Sequence, residues 1–126
     1  GNHDIRNYNA KNFNTPDGKA VRATRTEPED FKQIYDFVYS DPTVIATFTP
    51  AEGNKAGGLS YVARPVEGLT IIAMDTCRYS SDNTSNGDDE HETSGAISAD
   101  LEKWVIEQAA AATAMSASRR SMPMPA

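Results

Sequence analysis

The clearest periodicity in the chain is an apolar stripe at Phe31, Ile34, Tyr35 and Val38, spaced i, i+3, i+4 and i+7 along one helical face. Thr26 and Glu29 have the spacing of a capping box, Pro28 is tolerated in the first turn, and Ser40-Asp41-Pro42 stops the run. The pattern predicts a helix from Thr26 to Ser40. A second stripe, Leu101, Trp104, Val105 and Gln108, follows Ser98 as N-cap, with Asp100 and Glu102 at the positive end of the dipole. Alanines extend this helix towards Ala114. Between the helices, Thr43 to Phe48 is β-prone, with an irregular covering segment as the alternative. Leu59 to Arg64 alternates as a strand, and Pro65-Val66-Glu67-Gly68 is turn chemistry. Leu69 to Asp75 is almost continuously apolar. The last two runs predict a hairpin whose second strand is central and buried on both faces.

The remainder is polar. Gly1 to Arg25, Glu52 to Gly58 and Arg78 to Gly95 read as loops, and Ser116 to Ala126 as a disordered tail. The expected class is α+β, with two main helices, a β-hairpin and long loops. Residues 1–115 form one domain or part of one, and residues 116–126 the tail.

Composition narrows the function classes. With 38% hydrophobic and 24% charged residues among 126, the chain can fold around a core. A net charge of -6 argues against a nucleic-acid-binding surface, which needs a basic face. No apolar run approaches the roughly 18–20 residues of a membrane span. Cys77, the single cysteine, cannot form an internal disulfide or build a zinc site by itself.

Gly1-Asn2-His3-Asp4 is the first candidate for chemistry. Its composition also suits a surface turn, which is the competing reading. Further pieces follow in order. An amphipathic helix with an aromatic stripe comes first, then a hairpin whose second strand ends Met74-Asp75-Thr76. Gly95-Ala96-Ile97-Ser98 comes next and opens a helix that carries Leu101-Glu102-Lys103-Trp104. In order and spacing, from Gly1 to about Ala114, the chain resembles the calcineurin-like metallophosphoesterases, as an internal fragment that starts at the Gly-Asn-His-Asp motif.

The resemblance implies a partial α/β/β/α sandwich and metal-dependent hydrolysis of a phosphate ester, with a pair of divalent ions of the Mn, Fe or Zn kind. It implies Asn2 as a metal ligand, His3 as the residue that faces the phosphoryl group or protonates the leaving oxygen, and Asp4 as its support. Substrate contacts in the family point to Tyr8, Asn9 and Asn12. The chain departs from the pattern as well. The family's Asp-x-His, Gly-Asp-x-x-Asp and Gly-His-x-His ligand motifs are absent, and one amide cannot hold two ions. The chain alone is therefore expected not to retain the metals. The alternative is a non-catalytic fragment or degenerate homologue that acts as a structural or interaction module.

Other polar residues read more plainly. Gly87-Asp88-Asp89-Glu90 follows the signature and no strand precedes it, so it is not the family's Gly-Asp motif. His91 between Glu90 and Glu92 reads as a solvated loop histidine. Asp75 reads as a carboxylate bonded to loop backbone, Cys77 as a small packed residue and Trp104 as core. The partners implied are a phosphate ester and, through an exposed sheet edge, a second copy of the chain.

Overall fold

Pro28 sets where the first helix begins. The structure, a computed structural model, describes residues 12–22, 26–77, 79 and 95–121. Pro28 is the first residue of α1 (Pro28–Ile34), which makes Glu27 the N-cap. The Glu27 N–H donates to Asp30 Oδ2 at 2.9 Å. The capping pair is thus Glu27 and Asp30, one residue later than the expected Thr26 and Glu29. The single helix expected up to Ser40 is also broken. Tyr35 leaves helical geometry at φ -102°, ψ 29°, and a short α2 (Asp36–Tyr39) follows. The break changes the phase of the stripe. Phe31 and Val38 stay half-buried, but Ile34 is 67% exposed. Tyr39, which the stripe does not include, ties the helix to the sheet. Its hydroxyl donates to Leu59 O at 2.9 Å, and its ring meets Tyr61 edge-on at 5.7 Å.

The main sheet has three antiparallel strands in the order β3 (Val44–Thr47), β4 (Tyr61–Val66), β5 (Leu69–Ala73). The β3 strand and the β4–β5 hairpin stand where the apolar pattern puts them. The Glu67-Gly68 turn joins β4 to β5, and Gly68 takes φ 83°, a left-handed conformation that costs glycine little. Pro65 lies inside β4 rather than in the turn. The register slips by one residue between Ala63 and Val66, and such a bulge tolerates a residue with no N–H to donate. Among the described residues β5 is an edge strand, not a central one, and Leu69 and Ile71 remain exposed. An unbroken apolar run cannot by itself distinguish two buried faces from one.

Before α1 lies a small ribbon, β1 (Asn12–Asn14) paired with β2 (Ala20–Arg22). It falls in the stretch expected to be loop, because three-residue strands are too short to display a period of two.

α3 (Ala99–Ser121) begins as expected. Ser98 Oγ accepts the Leu101 N–H at 3.2 Å, and Asp100 and Glu102 occupy the first turn. It continues beyond Ala114 through Ser121, so residues 116–121 of the expected tail are helical. Alanine and methionine favour that continuation, and Arg119 and Arg120 suit the negative end of the dipole. Together these elements make a mixed α+β fold. Among the described residues no helix is long and apolar enough to cross a membrane.

The core lies where the start of α3 meets the segment before β4. Leu101 is 1% exposed and Phe48, Ala56, Val62 and Ala63 are buried with it. Gly57 makes this approach possible. At φ 81°, a Cβ there would stand 3.1 Å from the Phe48 ring and 3.2 Å from Leu101 Cδ2. Trp104 is only half-buried, its ring 5.6 Å from that of Phe48. Leu101 is therefore the anchor that the Leu-x-x-Trp pattern contributes, and Trp104 packs beside Phe48. Leu101→Ala should cost about 2–5 kcal/mol, and Trp104→Ala, at a half-exposed ring, should cost less than Leu101→Ala does. Urea denaturation of both variants checks this order. A larger loss at Trp104 would contradict it.

Candidate functional site

The residues to which the sequence assigns chemistry, Asn2, His3 and Asp4, lie outside the described residues, as do Tyr8, Asn9, Glu90, His91 and Glu92. Asn12 opens β1. What the structure does bring together is the downstream part of the pattern, around the end of β5.

Asp75 is the centre of that region. It follows the apolar β5, is 8% exposed, and has a donor on each carboxylate oxygen. Oδ2 accepts the Leu59 N–H at 3.2 Å and the Tyr79 hydroxyl at 2.9 Å, and Oδ1 accepts the Cys77 N–H at 3.1 Å. Its own N–H donates to Ser60 Oγ at 2.8 Å. Ser60 and Tyr79 are themselves buried, at 1% and 2% exposure. The expectation that Asp75 bonds loop backbone holds, through Leu59 and Cys77. Sequence reasoning missed Ser60 and Tyr79. A tyrosine four residues after a strand-ending aspartate was the available signal for one. Nothing local marks Ser60, which reaches Asp75 only through strand pairing.

Beside this network is a cleft of about 380 Å3, walled by Phe31 of α1, by Leu59, and by the segment from Ala73 to Cys77. Gly95 completes it. The segment before α3 returns to the end of β5, where Ala96 N–H donates to Thr76 O at 2.8 Å. A side chain at 95 would begin 3.0 Å from that same oxygen. Gly-Ala-Ile-Ser and Asp-Thr, far apart in sequence, are therefore one structural unit.

This unit binds its own chain rather than poising a reagent. Three donors occupy the Asp75 carboxylate, leaving little acceptor capacity for a metal or a substrate proton. Burial first, then the Asp75 charge and the hydrogen bond to it, push the Tyr79 phenol well above the ordinary tyrosine range. Tyr79 thus remains a donor, not a base. Among the described residues no group of three or more His, Cys, Asp or Glu side chains could hold a metal ion.

The raised Tyr79 pKa has a pH consequence. The folded state holds this proton more tightly than the unfolded chain does, so the contribution is complete below the unfolded value of about 10 and is lost as pH rises beyond it. Tyr79→Phe should cost about 1.5–3 kcal/mol at neutral pH, as for other hydrogen bonds to charged groups. It should also lose less stability than the wild type between pH 9.5 and 11 (roughly one proton's worth, ~1.4 kcal/mol per unit). Urea midpoints across that range provide the test, and parallel curves for the two proteins would refute it.

No family model, curated protein or solved structure matches the chain. Any functional reading accordingly stands on the chain's own residues.

Proposed function

We propose that this chain is part of a calcineurin-like metallophosphoesterase, a hydrolase of phosphate esters. The observation that carries the reading is the order of pieces from Gly1-Asn2-His3-Asp4 to the Leu101–Trp104 helix. The return of Gly95–Ser98 onto the end of β5 supports it, because it gives two separate pieces of that order a physical reason to occur together. In the parent protein this part would contribute its helices and hairpin to a four-layer α/β/β/α sandwich.

In this reading Asn2 would hold a divalent ion through its amide oxygen. His3 would face the phosphoryl oxygens or protonate the leaving oxygen, and Asp4 would support His3. Two divalent ions, if bound, would supply positive charge for the displacement at phosphorus. The described residues contain no ligand set for such ions. Hydrolysis by this chain alone is therefore not part of the proposal. The second reading, a non-catalytic structural module, is favoured by one observation: the buried carboxylate beside the cleft, Asp75, is already taken up by Leu59, Cys77 and Tyr79.

The chain by itself should show no turnover of an aryl phosphate or a bis-aryl phosphate in added manganese. Activity that survives repurification and disappears in Asn2→Ala would overturn that expectation. Extending the reading frame both ways separates the two functional readings. Asp-x-His upstream and Gly-His-x-His downstream are expected for the enzyme, and their absence would leave the module.

The proposal includes self-association. Among the described residues, β5 pairs on one side only, and Leu69, Ile71 and Met74 are 46%, 43% and 40% exposed near it. The strand has no proline or charge to discourage pairing with another copy. Sedimentation velocity over a concentration series should show a dimer that grows with concentration and weakens in Ile71→Lys. A monomer throughout would rule it out.

A further inference from the structure

Among the described residues, Arg64 has no ionic counterpart. The described ion pairs are Lys55 with Glu27 at 2.8 Å and Arg119 with Glu67 at 3.0 Å, and neither involves Arg64. Its Nε is enclosed and donates to nothing, which is uncommon for a buried polar atom. Its backbone is, by contrast, well held, with the N–H donating to Thr43 O at 2.8 Å. The β4 register slip lies between Ala63 and Val66, and bulges of this kind re-aim the side chains they carry.

Arg64 lines a cleft of about 260 Å3 between the β4–β5 turn and the last turns of α3, together with Thr70, Ser116 and Arg119. Arg120 lines an adjoining groove that shares Thr70 and Ser116. Two arginines therefore line the cleft and a third lines the adjoining groove, with Thr70 and Ser116 common to both. The single described counter-charge is Glu67, whose side chain is 82% exposed and so holds Arg119 weakly.

We propose that this cleft binds a tetrahedral oxyanion of the phosphate type. Arginine suits that ligand because its planar fork of N–H groups matches two oxygens at once. The Nε–Nη edge gains access by rotation of the Arg64 side chain, and the rotation breaks no hydrogen bond because Nε makes none. Arg119 can exchange Glu67 for the anion, and Thr70 and Ser116 can donate their hydroxyl protons. Two features oppose binding: the negative end of the α3 dipole and the chain's net charge of -6. Affinity should accordingly be modest, in the millimolar range. The inference does not rest on the phosphoesterase reading, since it uses no residue of the Gly1–Asp4 motif.

The test is a titration of the full, 15N-labelled chain with inorganic phosphate at pH 7.5 and fixed ionic strength, read at the arginine Nε–H and backbone amide resonances. The Arg64 Nε–H and the amides of Thr70 and Ser116 should shift and saturate. Arg64→Gln should weaken binding by about tenfold or more, and Arg64→Lys, which keeps the charge but not the fork, by an intermediate factor. Should Arg64→Gln not fold, Arg119→Gln serves in its place and should weaken binding severalfold. Phenyl phosphate in a parallel arm assigns the source. Tighter binding than inorganic phosphate marks an ester ligand, and equal or weaker binding marks the free ion. The proposal fails if the shifts never saturate, if chloride reproduces them, or if the folded variants bind phosphate as well as the wild type does.

Discussion

One buried carboxylate holds the described fold together. Asp75 lies two residues past the end of β5, where the chain leaves the sheet, and departing backbone has unpaired N–H groups that cost free energy if buried without acceptors. The carboxylate satisfies those of Leu59 and Cys77 while accepting the Tyr79 hydroxyl. The Leu59 carbonyl in turn accepts from Tyr39 at the end of α2. Helix, the approach to β4, the exit from β5 and the Tyr79 segment therefore share one chain of hydrogen bonds. Removing the carboxylate would take an acceptor from three donors at once, a loss larger than that of one bond.

The second constraint is steric and complements the first. α3 lies close to this segment with the help of Gly57, where a Cβ would press on Leu101 and the Phe48 ring and where the positive φ disfavours any side chain. The 95–98 segment brings α3 to that point by hydrogen bonding to Thr76, the residue immediately after Asp75. Polar hub and apolar anchor are thus linked by a few residues of backbone. Displacing either one moves the end of β5 and the start of α3 together, which explains how a small sheet and a single long helix form a joint core.

What the sequence revealed depended on how local the cause was. Ser98 capping α3, the β4–β5 hairpin and β3 follow from neighbouring residues, and they form where the pattern places them. The Tyr35 break was illegible because Phe31, Ile34, Tyr35 and Val38 fit an unbroken helix. Tertiary contacts of Tyr39 with Leu59 and Tyr61 favour the changed phase. The edge position of β5 was hidden for a similar reason. Leu69 to Ala73 is apolar on both faces, and which strand lies beyond it is not a property of those residues. For the site the limit was different. Asp75 stood out as a strand-ending carboxylate, yet its partners Ser60 and Tyr79 become visible only when the strands are paired, and Asn2, His3 and Asp4 lie outside the described residues.

These facts together separate scaffold from chemistry. A carboxylate prepared for catalysis keeps an oxygen available to a metal or a proton, whereas Asp75 spends both oxygens on its own chain. A tyrosine prepared as a base has its pKa lowered, whereas burial and Asp75 raise that of Tyr79. The perturbed group in this region is therefore part of a structural knot, which borders a cleft at the end of a strand. If phosphate-ester chemistry occurs in the parent protein, the described part contributes to it by rigidity. It fixes the end of β5 through Asp75 and the entry to α3 through the Ala96–Thr76 hydrogen bond.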